Sequence, residues 1–190
     1  MEPDELLKTI SSILRDLNIP YIITGGFAIS VWGQPRFTAD IDIVVELVKK
    51  NIKPLAKKLL KIDKNVYVDE ETMQDALIHE SEFNFIHPDT GLKVDFFVTG
   101  RGVYDKLKIK RAIAKEMFGQ KINFVSPEDL ILSKLLWGRE SDSFKQWADI
   151  KTVLKNKHLK LDMEYIRQWT VKHNTAHILN TLLEELHNKK

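Results

Sequence analysis

The chain has 190 residues, 43% of them hydrophobic and 29% charged, with a formal net charge of +2. That size fits one domain, or a domain with a helical appendage, and that balance describes a globular chain with a core of its own. With no cysteine in the sequence, disulfide frameworks, iron–sulfur clusters, thiolate zinc sites and cysteine nucleophiles are excluded, and so small a net charge does not by itself imply nucleic acid. No run approaches membrane-span length, and the opening MEPDELLKTISSILRDL is acidic and then amphipathic, unlike a secretion signal. The expectation is a cytoplasmic protein with no membrane contact.

In chain order, Leu6, Ile10, Ile13, Leu14 and Leu17 form one apolar stripe at helical spacing, closed by Asn18 and Pro20. YIIT (21–24) is a short β-rich run, and Gly25-Gly26 opens a short helix that Gly33 and Pro35 close. DIDIVVEL (40–47) reads as a strand, and NIKPLAKKLLKI (51–62) as an amphipathic helix. SEFNFIH (81–87) and LKVDFFV (92–98) flank the turn Pro88-Asp89-Thr90-Gly91, which predicts an antiparallel pair. RAIAKEMFGQKINFV (111–125) reads as a hairpin around Gly119-Gln120, although its first half also suits a helix. Ser126 then stands at an N-cap with Pro127 at the first helical position and acids in the first turn. From there to Lys190 the pattern is three or four helices. The reading is an α/β (α+β) core with a small mixed sheet over residues 1–125, helices on one face of it, and a C-terminal helical region over 126–190 that supplies the second wall of a cleft.

The chemistry gathers where carboxylates interrupt apolar strands. Side chains alternate faces along a strand, so Asp40 and Asp42 share one face while Ile41, Ile43 and Val45 take the other. Two residues of rise, about 6.6 Å, let both carboxylates reach one small cation site. Hard oxygen ligands of this kind suit Mg²⁺, which takes one or two protein carboxylates and fills its shell with water and phosphate oxygens. Asp95 is a third candidate, set opposite Leu92, Val94, Phe96 and Val98. Three carboxylates brought together repel without a cation, which implies one or two metal ions. The glycine pair explains the rest: between strand and helix it lets backbone approach a ligand, and a helix start offers N–H donors and a positive dipole end to an anion.

These residues resemble a family. Gly-Gly, thirteen residues, D-I-D, then a later V-D-F is similar to the pattern of the DNA polymerase beta type nucleotidyltransferase superfamily. QPRFTADID and SPEDLILSKLLWGRESDSFKQWADI resemble, more narrowly, bacterial stand-alone members such as abortive-infection toxins and antibiotic-modifying adenylyltransferases. The resemblance covers residues 20–45, 92–98 and 126–151. It implies an ATP-binding or other NTP-binding, Mg²⁺-dependent transferase with two ions, Mn²⁺ being the alternative, that passes a nucleoside monophosphate to a hydroxyl of tRNA, a protein or a small molecule and releases pyrophosphate. Gly25 and Gly26 would hold the β and γ phosphates, Asp40 and Asp42 the metals, and Asp95 the catalytic metal while helping to deprotonate the acceptor. Arg36 and Thr38 precede the aspartates, where Arg36 would neutralise triphosphate charge. Lys134 points from an apolar neighbourhood toward either a triphosphate or Asp149.

Plainer readings stand beside these. Gly25-Gly26 alone is a turn, Asp40 caps a strand, Asp95 pairs with Lys93 or Arg101, and Lys134 and Asp149 form a structural salt bridge. Lysines at 49–64 and 106–115 either rim an RNA site or are simply solvated. Phe27, Trp32, Phe37 and Phe97 read as core, while Trp137 or Trp147 suits stacking on a nucleobase or a small substrate. TGRG (99–102) lacks a dinucleotide fingerprint, and His173 and His177 lack the glutamate of a zinc protease. The alternative to an enzyme is a degenerate member that binds nucleotide or a partner protein, such as a toxin–antitoxin component.

Overall fold

The structure is a computed structural model that describes residues 1–38, 40–141 and 143–188. The elements are α1 (Pro3–Asp16), β1 (Tyr21–Ile23), α2 (Gly25–Trp32), β2 (Asp40–Val45), α3 (Lys49–Leu59), α4 (Glu70–His79), β3 (Glu82–His87), β4 (Leu92–Val98), α5 (Val103–Lys110), β5 (Ile113–Met117), β6 (Gln120–Phe124), α6 (Pro127–Ser141), α7 (Phe144–Leu154), α8 (Met163–Lys172) and α9 (Ala176–His187). By contact the chain divides into two compact units, one of residues 1–27 and 37–125, the other of residues 28–36 and 126–190.

The first unit is built on a six-stranded mixed sheet of order β3-β4-β2-β1-β6-β5. β2 and β4 run parallel, as do β1 and β6; the other neighbours are antiparallel. The expected mixed sheet in an α/β chain is therefore present. β4 alternates without a break: Leu92, Val94, Phe96 and Val98 are buried, and the residues between them are half-buried. Such alternation belongs to a strand with one face on a core. On that core side Phe83 stacks on Phe96 with ring centroids 4.7 Å apart, and Leu6, Leu7, Ile10 and Leu14 of α1 are fully buried.

Several elements differ from the sequence reading. α4 and α5 are not legible in the sequence because they bury little: α4 hides Met73 and Ala76, α5 no residue at all. α4 starts instead on its cap, the Asp69 carboxylate accepting the Glu71 and Thr72 N–H groups at 3.1 and 3.2 Å. The Thr72 hydroxyl, then these amides, hold that carboxyl below its ordinary value. The segment from 113 to 124 is strand on both sides, and its turn lies at Phe118-Gly119 with φ of +54° and +74°, one residue earlier than expected. Two successive positive φ values are the mirror-image turn whose twist matches a hairpin.

The second unit is helical. Ser126 caps α6, its Oγ accepting the Asp129 N–H at 3.1 Å and donating to Asp129 Oδ2 at 2.8 Å. Tyr165 of α8 donates its hydroxyl to Asp129 Oδ1 at 2.7 Å, so a buried carboxylate is satisfied on both oxygens. Ile29, Trp32, Leu130, Leu135, Ile150, Val153, Ile166 and Leu179 are its core.

Candidate active site

Register brings the expected carboxylates to one place. β2 and β4 are parallel with Asp42 opposite Asp95 and Asp40 opposite Lys93. Opposed residues in neighbouring strands share a face about 4.8 Å apart, so Asp42 and Asp95 form a like-charged pair on the face away from Ile41, Ile43, Val94 and Phe96, all fully buried. Asn84 of β3, opposite Asp95 on the other side, adds an amide to the row. Asp40 opens β2 in an exposed position. Among the described residues no group of three or more His, Asp or Glu is gathered to hold a metal ion; of the three expected carboxylates, register sets Asp42 beside Asp95, and Asp40 lies two residues before Asp42 on the same strand.

Lys93 explains how the pair tolerates its charge. Its Nζ lies 2.7 Å from Asp95 Oδ1, the structural ion pair that stood as the plainer reading of Asp95. The contact with Asp95 holds the ammonium above its ordinary value against desolvation, and the charges of Asp95, Glu82 and Asp40 add to it. Apart from that ammonium, Asp95 Oδ1 is buried with no hydrogen-bond partner.

The glycines fit against these side chains. Gly25 has φ +59°, and a Cβ there would lie 1.7 Å from Asp42 Oδ2 and 2.5 Å from its Cγ. A Cβ on Gly26 would lie 2.7 Å from both Cβ and Oγ1 of Thr38. The close approach that glycine permits is thus to the Asp42 carboxylate and the Thr38 side chain, which brings the α2 N-terminus and its dipole against the carboxylate of β2. Thr38 also donates its hydroxyl to the Asp40 carbonyl at 3.2 Å. Neighbouring Phe37, expected in the core, is instead 86% exposed, while Thr38 beside it is half-buried against Gly26.

Arg36 and Lys134 meet in the helical unit on Asp149. Arg36 donates Nε to Asp149 Oδ1 and a terminal nitrogen to Oδ2, both at 2.9 Å, the two-point geometry of a guanidinium on a carboxylate. Lys134 Nζ donates to the same Oδ2 at 2.7 Å and to Gln146 Oε1 at 2.8 Å. Burial raises the Asp149 carboxyl, but its bonds to Arg36 and Lys134 lower it further, and it rests below its ordinary value. Nearby, a Cβ on Gly33 would lie 2.3 Å from Thr152 Oγ1, and Asn156 Nδ2 donates to the Trp32 carbonyl at 2.9 Å. Residues 28–36 are thereby fastened to α7. Of these groups Arg36, Lys134 and Asp149 were legible as candidates; Gln146, Thr152 and Asn156 carry no signal in sequence.

Residues 11–190 match the family described as the nucleotidyl transferase AbiEii toxin of type IV toxin–antitoxin systems. The chain belongs to this family. An AbiEii protein is a nucleotidyltransferase, and this chain is an enzyme of that class. Its fold is similar to that of the antibiotic-resistance factor ANT(2'')-Ia in solution, with a TM-score of 0.59 at 16% identity, covering 98% of this chain and 97% of the other. A crystal structure of ANT(2'')-Ia in complex with adenylyl-2''-tobramycin gives 0.58 at 17%, covering 91% and 97%. The lincosamide antibiotic adenylyltransferase LnuA, lincomycin-bound, gives 0.53 at 17%, covering 82% and 98%. At such identities the likeness is one of fold. No curated protein sequence matches the chain significantly. No helix among the described residues is long and apolar enough to cross a membrane.

The donor set of this AbiEii chain suits a hard divalent cation. Two carboxylates stand side by side, and one of their buried oxygens is met by a cation alone. One or two carboxylates is the usual protein share of a Mg²⁺ shell.

Proposed function

We propose that the chain transfers a nucleoside monophosphate from an NTP to a hydroxyl acceptor, with pyrophosphate released, and that Asp42 and Asp95 are the centre of the site. The observation that carries this is the Asp42–Asp95 register with the glycine-led start of α2 pressed against Asp42. Divalent cations, Mg²⁺ first, would be held by Asp42 and Asp95 with Asp40 as the outer ligand, and would supply charge neutralisation and alignment of the phosphates. The rest falls to the chain's own groups. The N-terminus of α2 at Gly25-Gly26 receives phosphate oxygens, as a helix start does, and Thr38 fixes Gly26 and the Asp40 backbone in position. Asp95 accepts the proton of the acceptor hydroxyl. The deprotonated oxygen of the acceptor attacks the α-phosphorus, the bond to the β-phosphate oxygen breaks, and the electron pair leaves with pyrophosphate. Lys93 neutralises Asp95 until substrate and cation arrive. Arg36 and Lys134 act through Asp149, by holding residues 28–36.

Support for a hydroxyl acceptor comes from the fold relatives named above, one in complex with adenylyl-2''-tobramycin and one a lincosamide antibiotic adenylyltransferase, lincomycin-bound. The test is incubation of the protein with each α-labelled NTP, Mg²⁺ and cell extract. Label in tRNA, in protein or in a small product identifies the acceptor class. Metal-dependent NTP binding with no transfer to any of the three would refute the transferase reading for this chain and leave a nucleotide-binding protein of the same fold.

A further inference from the structure

A cavity of about 400 Å³ opens in the helical unit among α6, α7 and α9. One wall is Trp147. A Cβ on Gly138 would lie 2.3 Å from Cη2 of that indole and 2.5 Å from its Cζ3, so the ring rests on the backbone of α6 and only glycine leaves it room. The floor is apolar, from Ile178 and Leu182, and the rim is polar, from Thr181 and Glu185 with His177 and Arg139. The rim charges are tied down: Lys151 pairs with Glu185, and Arg139 donates to the His173 carbonyl at 2.7 Å. A rigid aromatic wall, an apolar floor and a few fixed polar groups are the ordinary constituents of a small-molecule pocket.

We propose that this cavity binds the heterocyclic base of a nucleoside or nucleotide, stacked on Trp147 with an amino-bearing edge turned to Glu185 and Thr181. Flatness follows from the indole wall, against which any base can stack. The amino edge follows from the rim, where a carboxylate and a hydroxyl accept hydrogen bonds. Recognition is through the base, whose face stacks on the indole wall and whose edge meets the acceptors of the rim. None of these residues has a part in the transfer chemistry proposed above, so the two readings stand or fall separately.

The test uses phosphate-free nucleosides, which cannot engage a phosphate cradle, with EDTA present to exclude divalent cations. Titration of the full chain with adenosine, cytidine and uridine, followed by calorimetry or saturation-transfer NMR, should give saturable binding with adenosine and cytidine ahead of uridine. Trp147→Leu should weaken it about tenfold or more, the order of one lost base–aromatic stack. Because Trp147 also packs against Gly138, the second variant is Thr181→Arg, at an exposed position of α9, which fills the cavity mouth without touching the core. It should abolish binding while the melting temperature holds. No saturable binding to the native chain, binding that survives Thr181→Arg, or binding that appears only on adding Mg²⁺ would each overturn the proposal, the last by placing the nucleoside on the carboxylates.

Discussion

Replacing Gly25 by alanine tests how tightly the helix start is fitted to the carboxylate. Two costs are separable. The left-handed backbone, φ +59°, penalises any L-residue by about 1–2 kcal/mol. The new methyl also falls 1.7 Å from Asp42 Oδ2, well inside van der Waals contact, and forced repacking of that kind costs about 1–3 kcal/mol more. Gly119→Ala is the matched control: its φ is +74°, and nothing lies within 4 Å of the added Cβ. Urea denaturation should therefore show about 1–2 kcal/mol lost for Gly119→Ala and about 2–5 kcal/mol for Gly25→Ala. The part of the excess due to the carboxylate should be relieved by Asp42→Ala, which keeps only the Cβ, 2.9 Å away, giving a coupling of roughly 1 kcal/mol or more in a double-mutant cycle. Equal costs at the two glycines, or additive effects of Gly25→Ala and Asp42→Ala, would refute the fit.

Asp149→Asn should destabilise the chain by about 3–5 kcal/mol, because it removes the charge of the carboxylate that buried Lys134 and half-buried Arg36 share; chemical denaturation at neutral pH measures it. The same carboxyl has a depressed folded-state value, so its contribution is present above the ordinary unfolded carboxylate value of about 4 and is lost as pH falls below it. Asp149→Asn should lack that acid-side component of the stability–pH curve, and an unchanged curve would contradict the assignment. Ser126→Ala should cost about 1–2 kcal/mol, since it removes the N-cap of α6 and a hydrogen-bond donor to buried Asp129; thermal melts compared with Tyr165→Phe, which removes another donor to it, report whether the two losses couple through that carboxylate.

How far the site could be read from sequence depends on what each residue is doing locally. DIDIVV and LKVDFFV are legible because a half-buried strand writes its two faces in alternate letters, and a carboxylate among them stands out. Their mutual register, Asp42 against Asp95, is not written in either segment; the order of strands across the sheet sets it. The glycine pair was legible as a close approach, but not what approaches. Arg36 and Asp149 lie 113 positions apart, and no local pattern connects them. α4 and α5 are not legible for a different reason: they bury so little that the helical period barely appears, and α4 is announced only by its cap at Asp69. Phe37 shows the converse limit, an aromatic that reads as core and stands exposed beside half-buried Thr38.

The most direct test of the central claim is the initial rate of nucleotide transfer by Asp42→Asn and Asp95→Asn, measured beside the native chain at saturating Mg²⁺ with melting temperatures recorded for all three. Each substitution removes a ligand from the carboxylate pair and also relieves its charge repulsion, so the rate should fall by more than about a hundredfold, beyond the 10–100-fold typical of groups that only support ligands, while stability changes little. A variant that keeps a rate near that of the native chain would contradict the account, because the chemistry would then lie elsewhere than on the strands that carry Asp42 and Asp95.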